Sequence, residues 1–368
     1  IGICMFFDLW DYLWGRAMRE RLLFIYNPSA GKAKLKAKLS DIVVEFSENG
    51  YEVIVMPTAK RGDATEFAEE YAKNNACSRI VCAGGDGTLN EVVTGVIKSG
   101  MRVPIGYIPA GTTNDFGYSL KIPKDAIEAA KFAALCDPMP SDVGEICGNT
   151  FVYTAAFGLF SDVSYDTPQD MKNILGRVAY LLRGVRSLVE VQNYKLFVEY
   201  FAVGEDVPEV EEGEIETEAG EDEGNMEPQE ECAAEEEEGE DVPFLRPAKG
   251  RWMHTEGEFI CGMVANSNSV GGFKGIMGKN VRFDDGVFEM LLIRRPRNVI
   301  ELTDIVNELI NKKLKSDNII YAHVREVNID TNGELPWSLD GEFGGDMPQA
   351  MIHIRQRAVD YIRREADS

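Results

Sequence analysis

The chain has 368 residues, with 38 Lys and Arg against 62 Asp and Glu and a formal net charge of −24. That length suggests two domains of about 100–200 residues each, and the acidic balance argues against nucleic acid, whose binders carry a basic footprint. At first it also argues against anionic membrane surfaces, which attract polybasic segments.

The average conceals a local event. Residues 204–241 hold 20 Asp or Glu and no Lys or Arg, which leaves a net charge of −4 on the other 330 residues. The acidity belongs mostly to one insert, so the rest of the chain can present basic faces. Seven cysteines without a C-x-x-C pair read as reduced thiols in a cytosolic setting. Three scattered histidines make a carboxylate the better candidate for any general base.

Residues 1–17 are apolar and aromatic, with Asp8 and Asp11 inside the run and no basic stretch ahead of it. They read as an N-terminal extension, with a membrane-surface anchor as the functional alternative. No run reaches the roughly 18–20 apolar residues of a membrane-spanning helix. From Arg21 onward, strand-like runs at Leu22–Tyr26, Tyr51–Met56, Arg79–Ala83 and Val103–Ile108 alternate with helical patterns at Lys32–Asn49, Asp63–Asn74 and Thr88–Lys98. Such alternation predicts an α/β nucleotide-binding domain with a parallel sheet over 18–138.

The grammar then changes. Asp142–Cys147, Thr150–Phe157, Tyr194–Val203, Glu258–Ala265, Val287–Ile293, Val324–Asp330 and Met351–Gln356 are strand-like, with helical patterns only near 171–191 and 298–313. This predicts a mainly antiparallel β domain over 139–357, a cleft between the domains, and a C-terminal tail over 358–368. The acidic segment, taken as 204–248, is too polar and too charged to offset its ordering entropy and reads as a disordered loop. The pattern at 171–190 mixes an apolar stripe with Lys172, Arg177, Arg183 and Arg186. It suits a core-facing helix or a basic amphipathic helix on a membrane, and Arg294, Arg295 and Arg297 could extend the same face.

Three strand-to-helix turns carry the chemistry. Gly84-Gly85-Asp86-Gly87-Thr88-Leu89-Asn90-Glu91 follows the third strand. Its glycines allow close approach of backbone to ligand, and the helix it opens aims free N–H groups at an anion such as phosphate. Thr88 and Glu91 also fit a capping box, which would make their role structural. A carboxylate at Asp86 repels phosphate unless a divalent cation bridges the two. Asn27-Pro28-Ser29-Ala30-Gly31-Lys32 looks like a phosphate loop but lacks Walker spacing. Pro109-Ala110-Gly111-Thr112-Thr113-Asn114-Asp115-Phe116 offers hydroxyls, an amide and a carboxylate. All three turns lie at the carboxyl ends of parallel strands, where an open α/β sheet gathers its ligand.

Taken together, N-P-x-x-G (27–31), G-G-D-G-T-x-N-E (84–91) and P-x-G-T-x-N-D (109–115) resemble the diacylglycerol kinase catalytic family, which includes soluble bacterial lipid kinases and sphingosine kinases. Asn266, Gly271-Gly272-Phe273, Asp284-Asp285-Gly286 and Asp340-Gly341-Glu342 look like that family's later landmarks, in the same order. The resemblance runs from about residue 20 to 357, interrupted by the acidic insert. The G-G-D-G element alone also occurs in NAD kinases and phosphofructokinases.

The resemblance implies two domains with ATP and Mg²⁺ in the cleft and a diacylglycerol-like membrane lipid as acceptor, phosphorylated to phosphatidate. Carried over by position, Gly84, Gly85, Gly87, Thr88 and Glu91 around Asp86 serve the ATP phosphates. Asn27, Thr58, Gly111, Thr112 and Asn114 serve the nucleotide. Glu342 would be the general base and Asp86 the second catalytic residue, with Asp346 a rival carboxylate for local roles, and a structural Mg²⁺ would sit near Asp285. The implied setting is cytoplasmic, with transient peripheral contact at the inner face of the membrane and a homodimer as an open assembly state. Sphingoid bases and phosphatidylglycerol are alternative acceptors. NAD kinase is disfavoured by P-x-G-T-x-N-D and the late D-G-E, and a non-catalytic binding module is disfavoured by Asp86 together with Glu342.

Overall fold

The computed structural model describes residues 19–111, 114–159, 192–204, 250–270, 273–274, 281–311, 314 and 316–364. The N-terminal extension, Thr112, the amphipathic pattern at 171–191, Gly271-Gly272 and the acidic insert beyond Gly204 lie outside the described residues.

Strands β1 (Glu20–Tyr26), β2 (Tyr51–Pro57), β3 (Arg79–Gly84) and β4 (Ile105–Pro109) form a parallel sheet in the order β2-β1-β3-β4. Leu22–Tyr26 and Ile80–Gly84 are buried at every position, as expected of strands covered on both faces. Between them run α1 (Lys34–Ala37), α2 (Leu39–Glu48), α3 (Asp63–Lys73), α4 (Asp86–Ser99), α5 (Asp115–Ser119) and α6 (Ala126–Leu135). The single helix expected over Lys32–Asn49 is instead a 3₁₀ turn at Ala30–Ala33, the one turn of α1, and α2 after a break at Lys38.

The second domain is built of antiparallel strands: β5 (Pro138–Ile146), β6 (Asn149–Phe151), β7 (Thr154–Gly158), β8 (Tyr194–Val203), β9 (Gly250–Ala265), β12 (Phe288–Arg294), β13 (Ile319–Thr331), β14 (Pro336–Leu339), β15 (Glu342–Asp346) and β16 (Gln349–Ile362). A small ladder pairs β10 (Ser269–Val270) with β11 (Phe273–Lys274). Helix α7 (Val299–Asn311) lays Leu302, Ile305, Val306 and Leu309 on one sheet face.

Strand β16 joins the two halves. It pairs antiparallel with β13 and β5, and Tyr361 then pairs parallel with Ile105 of β4. Residues 358–362, expected in a tail, are therefore the buried end of a strand, with Val359 and Tyr361 in the first domain's core. The register shifts between Arg355 and Val359, and Arg357 adopts φ +51°. That irregularity interrupts the period-2 alternation by which the continuation would have been read.

A second junction lies at the turn between β14 and β15. Asp340 is 4% exposed, and its carboxylate accepts the N–H groups of Val152 (2.8 Å), Tyr153 (3.0 Å) and Thr154 (3.1 Å). It also accepts the Asn90 side-chain amide of α4 at 2.7 Å, and the same amide donates to Thr150 O at 2.9 Å. Removing the carboxylate strands several buried donors. Asp340→Ala is expected to cost about 3 kcal/mol of stability, seen as a lowered thermal midpoint. An unchanged midpoint would mean that this junction does not hold the domains.

Candidate active site

The three motif turns meet at the carboxyl edge of the parallel sheet. Asn27 N donates to Ala83 O at 2.9 Å and Ala110 N to Gly84 O at 2.7 Å, so each turn is tied to the glycine turn between them. Gly85 and Gly111 pack backbone to backbone, and a Cβ on Gly111 would lie 2.8 Å from Gly85 Cα. Any larger residue there would push the turns apart.

A cleft of about 770 Å³ opens above them, and Asn27, Gly85, Gly87, Thr88, Gly111 and Glu342 all line it. Lys38 and Lys124 line it as well. Neither was singled out from the sequence, because each sits in a run with no motif and only its charge could have pointed to it. Asn114 is committed to the turn itself. Its Oδ1 accepts Gly111 N at 2.7 Å while its amide donates to Gly111 O at 3.1 Å.

Glu342 reaches this cleft from the other domain. It opens β15, two residues beyond Asp340, and its carboxylate rests against Gly87, where any Cβ would fall on Glu342 Oε1. Arg61 NH2 stands 3.6 Å from Glu342 Oε2. Gly87 and Glu342 also wall a second cavity of about 290 Å³, shared with Arg61, Asn90, Glu91 and Lys98. The carboxylate thus lies between two spaces, one above the glycine turn and one beside α4.

The capping expectation for Thr88 and Glu91 is corrected. Helix α4 begins at Asp86 with Gly85 as its N-cap and no side-chain cap. Thr88 folds back on Gly84, and Glu91 caps a different helix, accepting Gly62 N at 2.9 Å and Ala64 N at 3.3 Å at the start of α3. The capping box presumes that the helix starts at Thr88, whereas the glycine turn lets it begin two residues earlier.

Asp86 is 9% exposed beneath the turn. Tyr107 OH lies 3.3 Å from its Oδ1 and 3.2 Å from Gly84 O. Burial, then the charges of Asp115 and Asp340, push its carboxyl up to about 7, while Tyr107 and the Asp115 N–H pull the other way. Asp115 accepts Ser269 Oγ at 2.6 Å, which brings the second domain to the same cluster.

Asp285 sits elsewhere, in a second acidic group with Asp284 and Asp142. Asp142 receives Gly286 N at 2.6 Å and Arg357 N at 2.7 Å, and burial raises its carboxyl to about 7. Asp285 Oδ1 accepts Val287 N at 3.1 Å, and burial raises its carboxyl too. Among the described residues no three His, Cys, Asp or Glu side chains converge as a metal centre. Thr58 follows β2, with its N–H on Tyr26 O at 3.0 Å. Thr58, Gly84, Glu91 and Asn114 are not among the residues lining the larger cleft.

A glycine turn at a sheet edge, faced by a carboxylate from a second domain, is the arrangement of a phosphotransferase that activates a hydroxyl. The comparisons agree. Residues 21–146 match the family model described as diacylglycerol kinase catalytic domain. Diacylglycerol kinase of Staphylococcus aureus (strain MRSA252) is 30% identical over 344 residues, covering 93% of this chain and 92% of the relative. That of Staphylococcus carnosus (strain TM300) is 28% identical over 349 residues, covering 95% and 97%. A crystal structure of a diacylglycerol kinase from Bacillus anthracis str. Sterne shares the fold with a TM-score of 0.66 at 24% identity, covering 95% of this chain and 98% of that one. The chain belongs to the diacylglycerol kinase family and is a lipid kinase. Among the described residues no helix is long and apolar enough to cross a membrane.

Two outcomes follow from the geometry. Gly87→Ala displaces only the flexible end of Glu342, so turnover is expected to fall at least about tenfold with the thermal midpoint nearly unchanged. Activity at the wild-type level would separate Gly87 from the Glu342 position. Asp86 has a folded pKa above its ordinary value, so its contribution to stability is present below about pH 4 and is lost as pH rises through 7. Asp86→Asn is therefore expected to gain stability relative to wild type between pH 4 and 8. Parallel melting curves across that range would contradict the burial argument.

Proposed function

We propose that the enzyme transfers the γ-phosphoryl group of ATP to the free hydroxyl of diacylglycerol, yielding phosphatidate and ADP. The observation that carries this reading is Glu342 set against Gly87, with its carboxylate open to both cavities. The larger cavity takes the nucleotide, with its phosphates against the N–H groups of Gly85 and Gly87 at the start of α4. Asn27 and Gly111 flank it, and Lys124 adds positive charge at its rim, while Lys38 is paired with Asp125 on the same wall.

Phosphoryl transfer asks a protein chiefly for positioning and charge neutralisation, plus a group to accept the hydroxyl proton. Glu342 takes that proton as the acceptor oxygen bonds to the γ-phosphorus, and the bond to the β–γ bridging oxygen breaks to release ADP. Arg61 stands beside the Glu342 carboxylate, 3.6 Å from its Oε2. Asp86, whose carboxyl is raised by burial and then by the charges of Asp115 and Asp340, supports a divalent cation near the glycine turn, because a cation would favour the ionised carboxylate there. Asp86 and Asp115 would hold Mg²⁺, and the ion when bound neutralises phosphate charge. A separate cation near Asp285 would rest on that carboxylate and on backbone oxygens, because Asp142 already accepts Gly286 N and Arg357 N and Asp284 faces Arg357.

The acceptor is a membrane lipid, so catalysis takes place during transient contact with the cytoplasmic face of a membrane. Val299 and Ile300 stand exposed at the start of α7, beside Arg297, a pairing suited to a headgroup boundary.

The test is ADP release with Mg·ATP and micelles of diacylglycerol, sphingosine or phosphatidylglycerol. Diacylglycerol is expected to exceed the others clearly. Turnover of another lipid alone would change the acceptor, and tight ATP binding without turnover of any would point to a binding module. Glu342→Gln is expected to lower kcat about 10²–10⁴-fold with ATP affinity nearly unchanged. Retained turnover in that variant would move the base elsewhere, with Asp346 next in line.

A further inference from the structure

The second domain's sheet buries both faces, and one of them contains a polar row. That face carries Ala156, Cys261, Met263, Leu291 and Ile293 under α7. Strand register sets Thr154 of β7 opposite Ala265 of β9, and Ala265 opposite Glu289 of β12. Paired residues point to the same side of a sheet, so Thr154, Ala265 and Glu289 form one row across three strands. The outer two are about 10 Å apart, with only the small side chain of the buried Ala265 between them in the row.

Thr154 and Glu289 are each 5% exposed. Among the described residues neither Thr154 Oγ1 nor Glu289 Oε2 has a hydrogen-bond partner. Buried polar atoms are ordinarily satisfied, and two orphans on one row of an otherwise apolar face call for a ligand. Burial holds the Glu289 carboxyl well above the usual carboxylate range, and the nearby charge of Asp285 acts in the same direction. Burial thus favours the protonated acid, whose hydroxyl can donate. His323, the next residue of the row on β13, is exposed, and Tyr321 lies close enough for Glu289 to raise its phenol.

The row begins beside the catalytic turn. Thr154 O accepts Asp340 N at 2.9 Å and Thr154 N donates to Asp340 Oδ1 at 3.1 Å, with Glu342 two residues further along. A lipid whose hydroxyl meets Glu342 would bring its next polar groups toward Thr154, the end of the row beside that turn. Those polar groups, in a diacylglycerol, are ester carbonyls, which only accept hydrogen bonds. Both orphans can donate.

Resting on the diacylglycerol reading above, we propose that Thr154 and Glu289 form the ester-recognition site of the acceptor lipid, and so select acylated over ether-linked glycerols. The site is distinct from the nucleotide cleft, and neither residue lines that cleft.

The test compares diacylglycerol with dialkylglycerol, which keeps the hydroxyl and the chains but lacks the carbonyls. Kinetic constants are measured for wild type, Glu289→Leu, Glu289→Gln and Thr154→Val. In Glu289→Leu the ratio of kcat/KM for the diacyl over the dialkyl acceptor is expected to fall about tenfold, through KM, with KM for ATP unaffected. Glu289→Gln retains a donor and is expected to recover most of that ratio. Thr154→Val is expected to lower it as well, and serves as an independent variant should Glu289→Leu fold poorly. An unchanged ratio in both apolar variants, or equal losses on both acceptors, overturns the ester site while leaving the acceptor reading intact. A wild type that turns over another lipid but no diacylglycerol overturns the acceptor reading, and the ester site with it.

Discussion

One buried carboxylate holds the two halves of this enzyme in working register. Asp340 accepts three consecutive backbone N–H groups, of Val152, Tyr153 and Thr154, and the side-chain amide of Asn90. The first three donors belong to the second domain. The fourth comes from α4, the helix whose first turn is the glycine turn of the nucleotide cleft. Charge-assisted hydrogen bonds in a dry environment are stronger than ordinary ones and costly to break one at a time. The chain therefore fixes the distance between the glycine turn and the proposed base at a point two residues before Glu342. Gly87 completes the fit, since a side chain there would take the place of the Glu342 carboxylate.

The same closeness creates an electrostatic load. Asp86, Asp115 and Asp340 crowd beneath the glycine turn, and the first holds its proton to about pH 7. A second acidic group, with Asp142 also raised to about 7, stands near the β5–β16 crossing. Acidic clusters of this kind suit an enzyme whose substrate arrives with a cation, because the ion is bound most tightly where carboxylates repel one another. The overall charge of −24 has little part in this, since most of it lies in the insert after Val203. The acidity that matters is a handful of buried side chains.

Much of the architecture was legible in the residues. The four parallel strands fall where apolar runs between helical periods placed them, and Tyr194–Val203 coincides with β8 end to end. Other elements were hidden for identifiable reasons. Helix α6 has alanine at five of its ten positions and buries four of them beside Phe132, so its apolar face offers little contrast to detect. Its start is held by Asp125, which accepts Ile127 N and Glu128 N. Strands β14 and β15 are four and five residues long, and β15 spends two of its positions on glycine, so only their Asp-Gly turn stood out. The end of β16 was masked by the irregularity at Arg357. At the site, motif spacing located the glycine turn, Asn27, Gly111 and Glu342. It could not assign Glu91 to the neighbouring helix or Asn90 to Asp340, because those partners are 27 and 250 residues away in sequence.

The central claim is that catalysis depends on the register that Asn90 and Asp340 impose between the domains. The most direct measurement is kcat and KM for ATP in Asn90→Ala, taken well below its thermal midpoint. The account expects kcat to fall at least about tenfold with KM for ATP unchanged, since Asn90 lines the smaller cavity and not the nucleotide cleft. A variant that keeps wild-type kcat would contradict it, showing that Glu342 finds its place without the link.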